Sequence, residues 1–318
     1  MFSDIPLPEA FAFLTALSLL IYMVLDGFDL GIGILSAFVH EKERDAMILT
    51  IAPFWDANET WLILAAGLVL VAFPQAQGII FGALYLPTAI LLVGILFRGA
   101  AFDFRAKGSP KLKRLWDMAF FGGSLTVAAA QGYMLGLFAT GFEQSPFVYL
   151  AAFLAVAAYG MIGAAWLILR AGGSVRRKAF RFGFYSMAAG LAAILIDIAA
   201  QHGDMAFTPT EVALGAAGGL ALILPIALHG FCAKRGNRFA WVPFAGCVVL
   251  FAAVVSGLAV HCYPYVVYGR MTIREAAADE ASLQFMFAGA LAALPLIILY
   301  HVAAHVIFRG GRRIPSGE

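Results

Sequence analysis

Four carboxylates lie inside apolar stretches of this sequence, in two pairs with the same spacing. Asp26 and Asp29 stand in DGFDLGIG, and Asp56 and Glu59 stand in FWDANETW. Residues three apart lie on one face of an α-helix, so each pair points to one side of its helix. Charged groups at membrane depth are costly and typically mark proton or ion pathways. A neutral buried acid in a chain of polar groups can relay protons, so we predict proton transfer for these side chains.

Further polar residues accompany the four acids. Asn58 and Trp55 are neighbours of Asp56, and Arg98 and Asp103 follow in LFRGAAFDFR, at the end of the next apolar stretch. We expect Arg98 and Asp103 to form the mouth of the same polar cluster, where Arg98 would favour an ionised acid. A purely structural alternative is open for each residue. The acids would then bond to groups on packed helices, and Arg98 and Asp103 would be an interfacial anchor or ion pair.

Histidines in membrane helices can bind haem iron, and four lie in or at the ends of apolar stretches: His229, His261, His301 and His305. A haem held by two histidines needs ligands on two helices at matching depth. His261 is expected at the outer end of its helix, whereas His301 and His305 are expected toward the cytoplasmic end of theirs. We therefore predict that this chain ligates no haem. The three cysteines lack CxxC spacing, so neither a disulfide framework nor a metal site is predicted.

The composition requires lipid as the solvent for much of the surface. Of the 318 residues, 62% are hydrophobic and 13% are charged, whereas soluble domains are about a quarter charged. A spanning helix needs about 20 mostly apolar residues, and strands with open edges are excluded in lipid. We predict an all-α, polytopic membrane protein that forms one transmembrane domain over residues 1–318. The nine predicted spans are residues 9–39, 46–73, 76–99, 117–141, 147–169, 180–200, 211–233, 240–262 and 283–308.

The basic residues give this arrangement an orientation. With nine spans, 19 of the 21 Lys and Arg residues fall on one side, and Arg270 and Arg274 fall on the other. Loops rich in Lys and Arg stay in the cytoplasm, which predicts an N-terminus outside and a C-terminus inside. The first residues carry no basic group, so the first span is expected to be retained rather than cleaved as a signal peptide. The net charge of +2 suggests no nucleic-acid partner.

Four motifs in order resemble subunit II of the cytochrome bd family of quinol oxidases. They are DGFDLGIG at 26–33, IAPFWDANETWLI at 51–63, LFRGAAFDFR at 96–105 and LKRLWD at 112–117, with weaker similarity in EASLQFM at 280–286 and LPLIILYH at 294–301. The short middle region is similar to that of the cyanide-insensitive branch. One position departs from the family, because Ala57 stands where WDGN has glycine. The change from glycine to Ala57 affects how closely another helix can pack at this position, but Asp56 is present as in the family.

The resemblance implies a bacterial inner-membrane heterodimer that oxidises quinol and reduces O2 to water. Subunit I would carry two b-type haems, one d-type haem and the quinol site, and small single-helix accessory subunits occur in the family. Subunit II would scaffold subunit I, and some members hold a structural quinone there. The proton path implied for subunit II would use Asp26 and Asp56, with Arg98 and Asp103 at its entrance and Trp55 beside the acid.

Two other functions are compatible with the residues alone. A secondary transporter would use Asp26 and Asp56 as its ion site, although no inverted repeat is evident in the sequence. A stand-alone b-type cytochrome would use its own histidines. The motifs favour the oxidase subunit over both.

Overall fold

The computed structural model describes residues 5–105, 107–200 and 239–307. Within these ranges the chain is almost entirely helical. The helices are α1 (Leu7–Leu35), α2 (Glu41–Leu49), α3 (Trp55–Ala72), α4 (Pro74–Ala83), α5 (Tyr85–Arg105), α6 (Pro110–Ala139), α7 (Pro146–Arg170), α8 (Gly173–Ala200), α9 (Val242–Cys262), α10 (Ile273–Ala276) and α11 (Glu280–Ile307). A 3-10 turn, Ser36–Phe38, extends α1.

Two predicted spans are each divided into two helices. The span predicted at 46–73 is interrupted at residues 50–54, so its long helix begins at Trp55. Pro53 explains the break, because proline restricts the residue before it and lacks a backbone N–H. The span predicted at 76–99 is interrupted at Leu84. Pro87 cannot donate to the carbonyl of Ala83, four residues earlier, and its ring would clash with that carbonyl.

Seven of the described helices are long and apolar enough to cross a membrane: α1 with its 3-10 extension, α3, α5, α7, α8, α9 and α11. The span predicted at 117–141 corresponds to α6, which has 30 residues but is not among the seven. The span predicted at 211–233 lies outside the described residues. The membrane-spanning all-α class is confirmed, while the count of nine and the orientation stay predictions.

Glycines bring α1 into backbone contact with α7. A Cβ atom placed on Gly31 would lie 1.9 Å from the carbonyl oxygen of Tyr159 and 2.8 Å from the Cα of Gly163. A Cβ atom on Gly163 would in turn lie 2.6 Å from the carbonyl carbon of Gly31. In the sequence, Gly27 and Gly31 have the GxxxG spacing that predicts a close approach of another helix, and this approach is present. The main apolar core surrounds this crossing and includes Phe28 and Trp166, whose rings stack 4.1 Å apart.

A small hairpin lies between α9 and α11. Its strands, β1 (Tyr265–Val267) and β2 (Met271–Thr272), are antiparallel. Val267 belongs to a second apolar core that also contains Leu7 and Phe11 at the start of α1. The hairpin therefore covers the N-terminal end of α1.

Candidate functional site

An arginine and two carboxylates from three helices form a buried cluster. Arg98 on α5 donates to both oxygens of Asp26 on α1, from Nη1 to Oδ2 at 2.9 Å and from Nη2 to Oδ1 at 2.5 Å. The same Nη2 also donates to Oε1 of Glu59 on α3. The side chains of Arg98 and Asp26 are 1% and 0% exposed, whereas that of Glu59 is 18% exposed. Arg98, predicted at the mouth of the cluster, is therefore its centre.

A second carboxylate on α1 lies beside this cluster. Asn58 on α3 donates from Nδ2 to Oδ2 of Asp29 at 2.8 Å and to the carbonyl oxygen of Leu25 at 3.1 Å. Asp29 and Asn58 are both fully buried. The other side-chain oxygen of each, Oδ1, has no hydrogen-bond partner among the described residues. Two buried acceptors without donors are suited to a protonated acid or an internal water molecule.

A glycine on α6 allows α5 to place Arg98 at the centre. A Cβ atom on Gly123 would lie 2.6 Å from the carbonyl oxygen of Gly94 and 3.0 Å from the backbone nitrogen of Arg98. Any larger residue at 123 would push α6 away from the turn of α5 that carries the guanidinium. The importance of this glycine was not predicted from the sequence, because it depends on which helix lies opposite.

Asp56 and Asp103 are not part of the buried cluster. Asp56 is therefore not buried within this chain as the sequence predicted, while the place of Asp103 at the mouth stays a prediction. Both side chains are exposed in this chain. Because the long helix begins at Trp55 rather than near residue 46, Asp56 lies in its first turn. Glu59 faces inward instead. Trp55 stacks on Phe102 of α5 with ring centroids 4.8 Å apart.

Three further buried polar residues adjoin Asp26, and the sequence analysis missed them. Gln131 on α6 donates from Nε2 to the Tyr22 hydroxyl at 2.5 Å, and the Tyr159 hydroxyl on α7 donates to Oε1 of Gln131. Each is at most 8% exposed. Single polar residues in apolar helices carry little spacing information. The i, i+4 relation of Tyr22 to Asp26 was the available signal.

Comparison with known proteins gives the chain a family. The sequence profile described as "Cytochrome bd terminal oxidase subunit II" matches residues 7–308. The chain belongs to this family. It is 27% identical over 318 residues to "Cytochrome bd ubiquinol oxidase subunit 2" of Bacillus subtilis (strain 168), covering 91% of each chain. It is also 36% identical over 118 residues to "Cytochrome bd-I ubiquinol oxidase subunit 2" of Escherichia coli (strain K12), covering 36% of this chain and 31% of that protein.

The fold agrees with this membership. The bd oxidase structure from Geobacillus thermodenitrificans matches with a TM-score of 0.75 and 19% identity, covering 96% of this chain and 100% of that chain. This bd oxidase subunit II is thus a multi-pass protein of the bacterial inner membrane. The membership favours an oxidase subunit over a secondary transporter and over a stand-alone b-type cytochrome.

On the predicted cytoplasmic side, subunit II has an ion-pair network that joins two of its sequence motifs. Arg105 of LFRGAAFDFR and Arg44 both bind Asp117 of LKRLWD, the latter pair at 2.6 Å. Lys113 binds Asp45 at 2.9 Å and Arg105 also binds Asp45. Partial burial alone would raise the pKa of Asp45, but hydrogen bonds from Arg105 and Lys113 hold it below its usual value. The network ties α2 to the junction of α5 and α6.

His301 of subunit II uses both ring nitrogens within the chain. Its Nδ1 lies 3.0 Å from the carbonyl oxygen of Ile297. Its Nε2 lies 3.2 Å from Nε1 of Trp61 and 3.1 Å from the carbonyl oxygen of Ala57. This pairing joins α11 to α3 and leaves neither nitrogen directed at a metal. His261 stacks on Tyr268 at 4.7 Å. His229 lies outside the described residues.

Proposed function

We propose that this subunit II scaffolds a haem-bearing subunit I in a quinol:oxygen oxidoreductase and passes protons from the cytoplasm toward the site of oxygen reduction. The observation that carries the proposal is the cluster of Arg98, Asp26 and Glu59, with Asp29 and Asn58 beside it. Ionisable side chains inside membrane helices are rare and expensive, and they typically mark proton relays.

Glu59 is the point at which protons enter the cluster. It is the one partly exposed acid of the set, while Asp26 and Asp29 are sealed from solvent. Arg98 holds a fixed positive charge between Glu59 and Asp26, so it balances one negative charge while the other is neutralised by protonation. The unpartnered oxygens of Asp29 and Asn58 would accept the next hydrogen bonds of the path. Asp56 and Asp103, at the exposed approach to this region, would supply the entrance.

The exposed face of α3 and α11 is the surface we assign to subunit I. Asp56 and Thr60 are exposed one turn apart on α3, and a charged side chain facing lipid is unfavourable. Only 6% of the most apolar part of α11 is buried against the described chain. A protein partner would cover both features. Relatives named as subunit 2 of a cytochrome bd ubiquinol oxidase support such a partner.

The haems and the quinol site are also assigned to subunit I. We place two b-type haems, one d-type haem and the quinol site in subunit I, with quinol as electron donor and O2 as acceptor. The internal bonding of His301 supports this assignment, because that side chain has no nitrogen left for iron. Accessory single-helix subunits and a structural quinone remain predictions from the family resemblance.

The test is quinol-driven oxygen consumption by the purified complex. Glu59→Gln and Asp26→Asn should each lower turnover per haem by about 100-fold, the lower end of the range for positioned proton-transfer groups. Glu143→Gln, at an exposed acid beyond the far end of α6, is the matched control and should leave turnover unchanged. Normal turnover in fully haem-loaded Glu59→Gln and Asp26→Asn complexes would show that the cluster has a purely structural role.

A further inference from the structure

A polar cavity of about 520 Å³ lies where the turn between α1 and α2 meets the start of α6. Three Arg and Lys side chains line it, those of Arg44, Lys113 and Arg114, together with the acids Glu41 and Asp117. Arg44 binds Asp117 and Lys113 binds Glu41, so both acids already have a cation. The cavity therefore has an excess of one positive charge.

Arg114 supplies this excess charge. Its side chain is exposed and makes no ion pair with the part of the chain that the structure describes. The wider ion-pair network leaves the excess unchanged, since Arg105 and Asp45 add one charge of each sign. A ligand with a single negative charge would complement the cavity. A phosphodiester is such a ligand, and arginine binds phosphate through paired hydrogen bonds.

An apolar groove of about 340 Å³ begins where the polar cavity ends. Met118 lines both, so the two spaces adjoin. The groove lies between α5 and α6, where Gly94 and Gly123 bring the two backbones into contact. Neither glycine has a side chain to fill the space above this contact. A Cβ atom on Gly122, which also lines the groove, would meet nothing within 4 Å.

The length of the groove matches one leaflet of a bilayer. Its lining residues on α6 extend from Leu115 to Thr126, which corresponds to about 16 Å at ~1.5 Å per residue. The hydrocarbon core of a bilayer is ~30 Å thick, so one leaflet is ~15 Å deep. On α5, Val93 and Phe97 form the opposite wall and are 50% and 54% exposed.

We propose that the polar cavity and the groove together bind one anionic glycerophospholipid, from the leaflet on the predicted cytoplasmic side. Its phosphate lies beside Arg114, and one acyl chain lies along the groove between α5 and α6. Basic side chains at a membrane surface attract anionic lipids. This lipid site is independent of the proposed proton role.

The shape of the two spaces favours a lipid over other occupants. A volume of 340 Å³ along about 16 Å gives the groove a mean cross-section of about 20 Å². A helix ~10 Å across occupies about 80 Å², so the groove admits an extended chain rather than a helix of subunit I. A free phosphate ion would occupy the polar cavity and leave the apolar groove beside it exposed.

The test of the headgroup site is lipid binding to the purified, delipidated complex, measured by native mass spectrometry. Dioleoylphosphatidylglycerol should bind about fivefold more tightly than the uncharged dioleoylphosphatidylcholine, the factor for one basic side chain near an anionic surface. Arg114→Gln should remove this preference. Arg177→Gln is the matched control, because it removes an exposed arginine on the same predicted side that does not line the cavity. The control should keep the preference.

The groove is tested by filling it. Val93→Trp should weaken the binding of both lipids about tenfold, because it displaces about two methylene groups of the acyl chain. Val249→Trp is the matched control, since Val249 on α9 is 52% exposed and lines neither space. If Val93→Trp fails to assemble, Gly122→Leu fills the groove from α6 and should have the same effect.

Three results would overturn the lipid site. Equal affinity for the two lipids in the unaltered complex, or an unchanged preference in Arg114→Gln, would exclude the headgroup position. Unchanged binding in Val93→Trp, or in Gly122→Leu where that variant replaces it, would exclude the groove. Displacement of dioleoylphosphatidylglycerol by an equal concentration of inorganic phosphate would show that the cavity binds free anions only.

Discussion

Arg98 donates to both oxygens of Asp26 through two different nitrogens, at 2.9 and 2.5 Å, in a site where both side chains are sealed from solvent. This two-point contact fixes the orientation of the carboxylate as well as its charge. It also makes the two residues mutually dependent, because a buried charge without its partner is strongly unfavourable.

Arg98→Gln should destabilise the complex by about 3–5 kcal/mol, because it leaves Asp26 buried without its counter-ion. Adding Asp26→Asn should restore part of that loss, since the two amides can bond without a net charge. Thermal unfolding of the purified complexes measures both effects. Losses that add up in the double variant would contradict the mutual dependence of the pair.

Gly123→Ala should disturb the cluster without touching a charged group. Its Cβ would lie 2.6 Å from the carbonyl oxygen of Gly94, and such overpacking typically costs about 1–3 kcal/mol. Gly122→Ala is the control on the neighbouring residue, because its Cβ has no neighbour within 4 Å. That variant should be neutral or slightly stabilising through helix propensity. Equal unfolding midpoints for the two variants would show that α5 and α6 have more freedom than the structure indicates.

The sequence predicted that a polar cluster forms between these helices better than it predicted the exact members of the cluster. Acids on two apolar helices do meet, and Asn58 and Arg98 join them. Asp56 is exposed in this chain because its helix begins later than the sequence predicts. An apolar run containing Pro53 reads as one long span, and a shift of the start changes the depth of every residue counted from it. Glu59, one turn further along α3, is instead the acid of this pair that packs inward against Arg98.

The contacts between residues on different helices could not be predicted from the sequence. Gly31 predicted a close helix contact, but its partner Gly163 on α7 depends on which helices lie side by side. Tyr22, Gln131 and Tyr159 come from three helices, and each is a single polar residue among apolar neighbours. Hydrophobic periodicity locates helices and their apolar faces. It does not show which polar groups on different helices come within hydrogen-bonding distance.

The ion pairs on the predicted cytoplasmic side predict a loss of stability in acid. Partial burial alone would raise the pKa of Glu43, but hydrogen bonds from Lys178 and Ser174 lower it below its ordinary value of 4.5. The folded state therefore favours the ionised acid. That stabilisation is complete above pH 4.5 and disappears as the pH falls through the lowered pKa.

Glu43→Gln should therefore lower the free energy of unfolding at neutral pH by about 0.5–1 kcal/mol, and by less in acid. Unfolding midpoints of the variant and the unaltered complex across this pH range measure the difference. If the difference in unfolding midpoint between the variant and the unaltered complex stays constant with pH, titration of the Glu43 carboxylate is ruled out as the cause. Added salt should reduce the difference in unfolding midpoint between the variant and the unaltered complex at neutral pH, because Lys178 and Glu43 are both partly exposed and salt screens such pairs.

His301→Gln should leave the haem content of the complex unchanged and lower its stability. The imidazole Nε2 lies within hydrogen-bonding distance of Nε1 of the buried Trp61, and its Nδ1 lies within hydrogen-bonding distance of the Ile297 carbonyl oxygen on its own helix. Its loss would leave the indole N–H without this acceptor at the contact between α3 and α11, at a cost of about 1–3 kcal/mol. Haem per complex, measured by the absorbance of extracted haem, is the deciding quantity, with the unfolding midpoint measured on the same samples. Loss of one haem from a complex that still contains both subunits would place an iron ligand in this chain and overturn the assignment of all haems to subunit I.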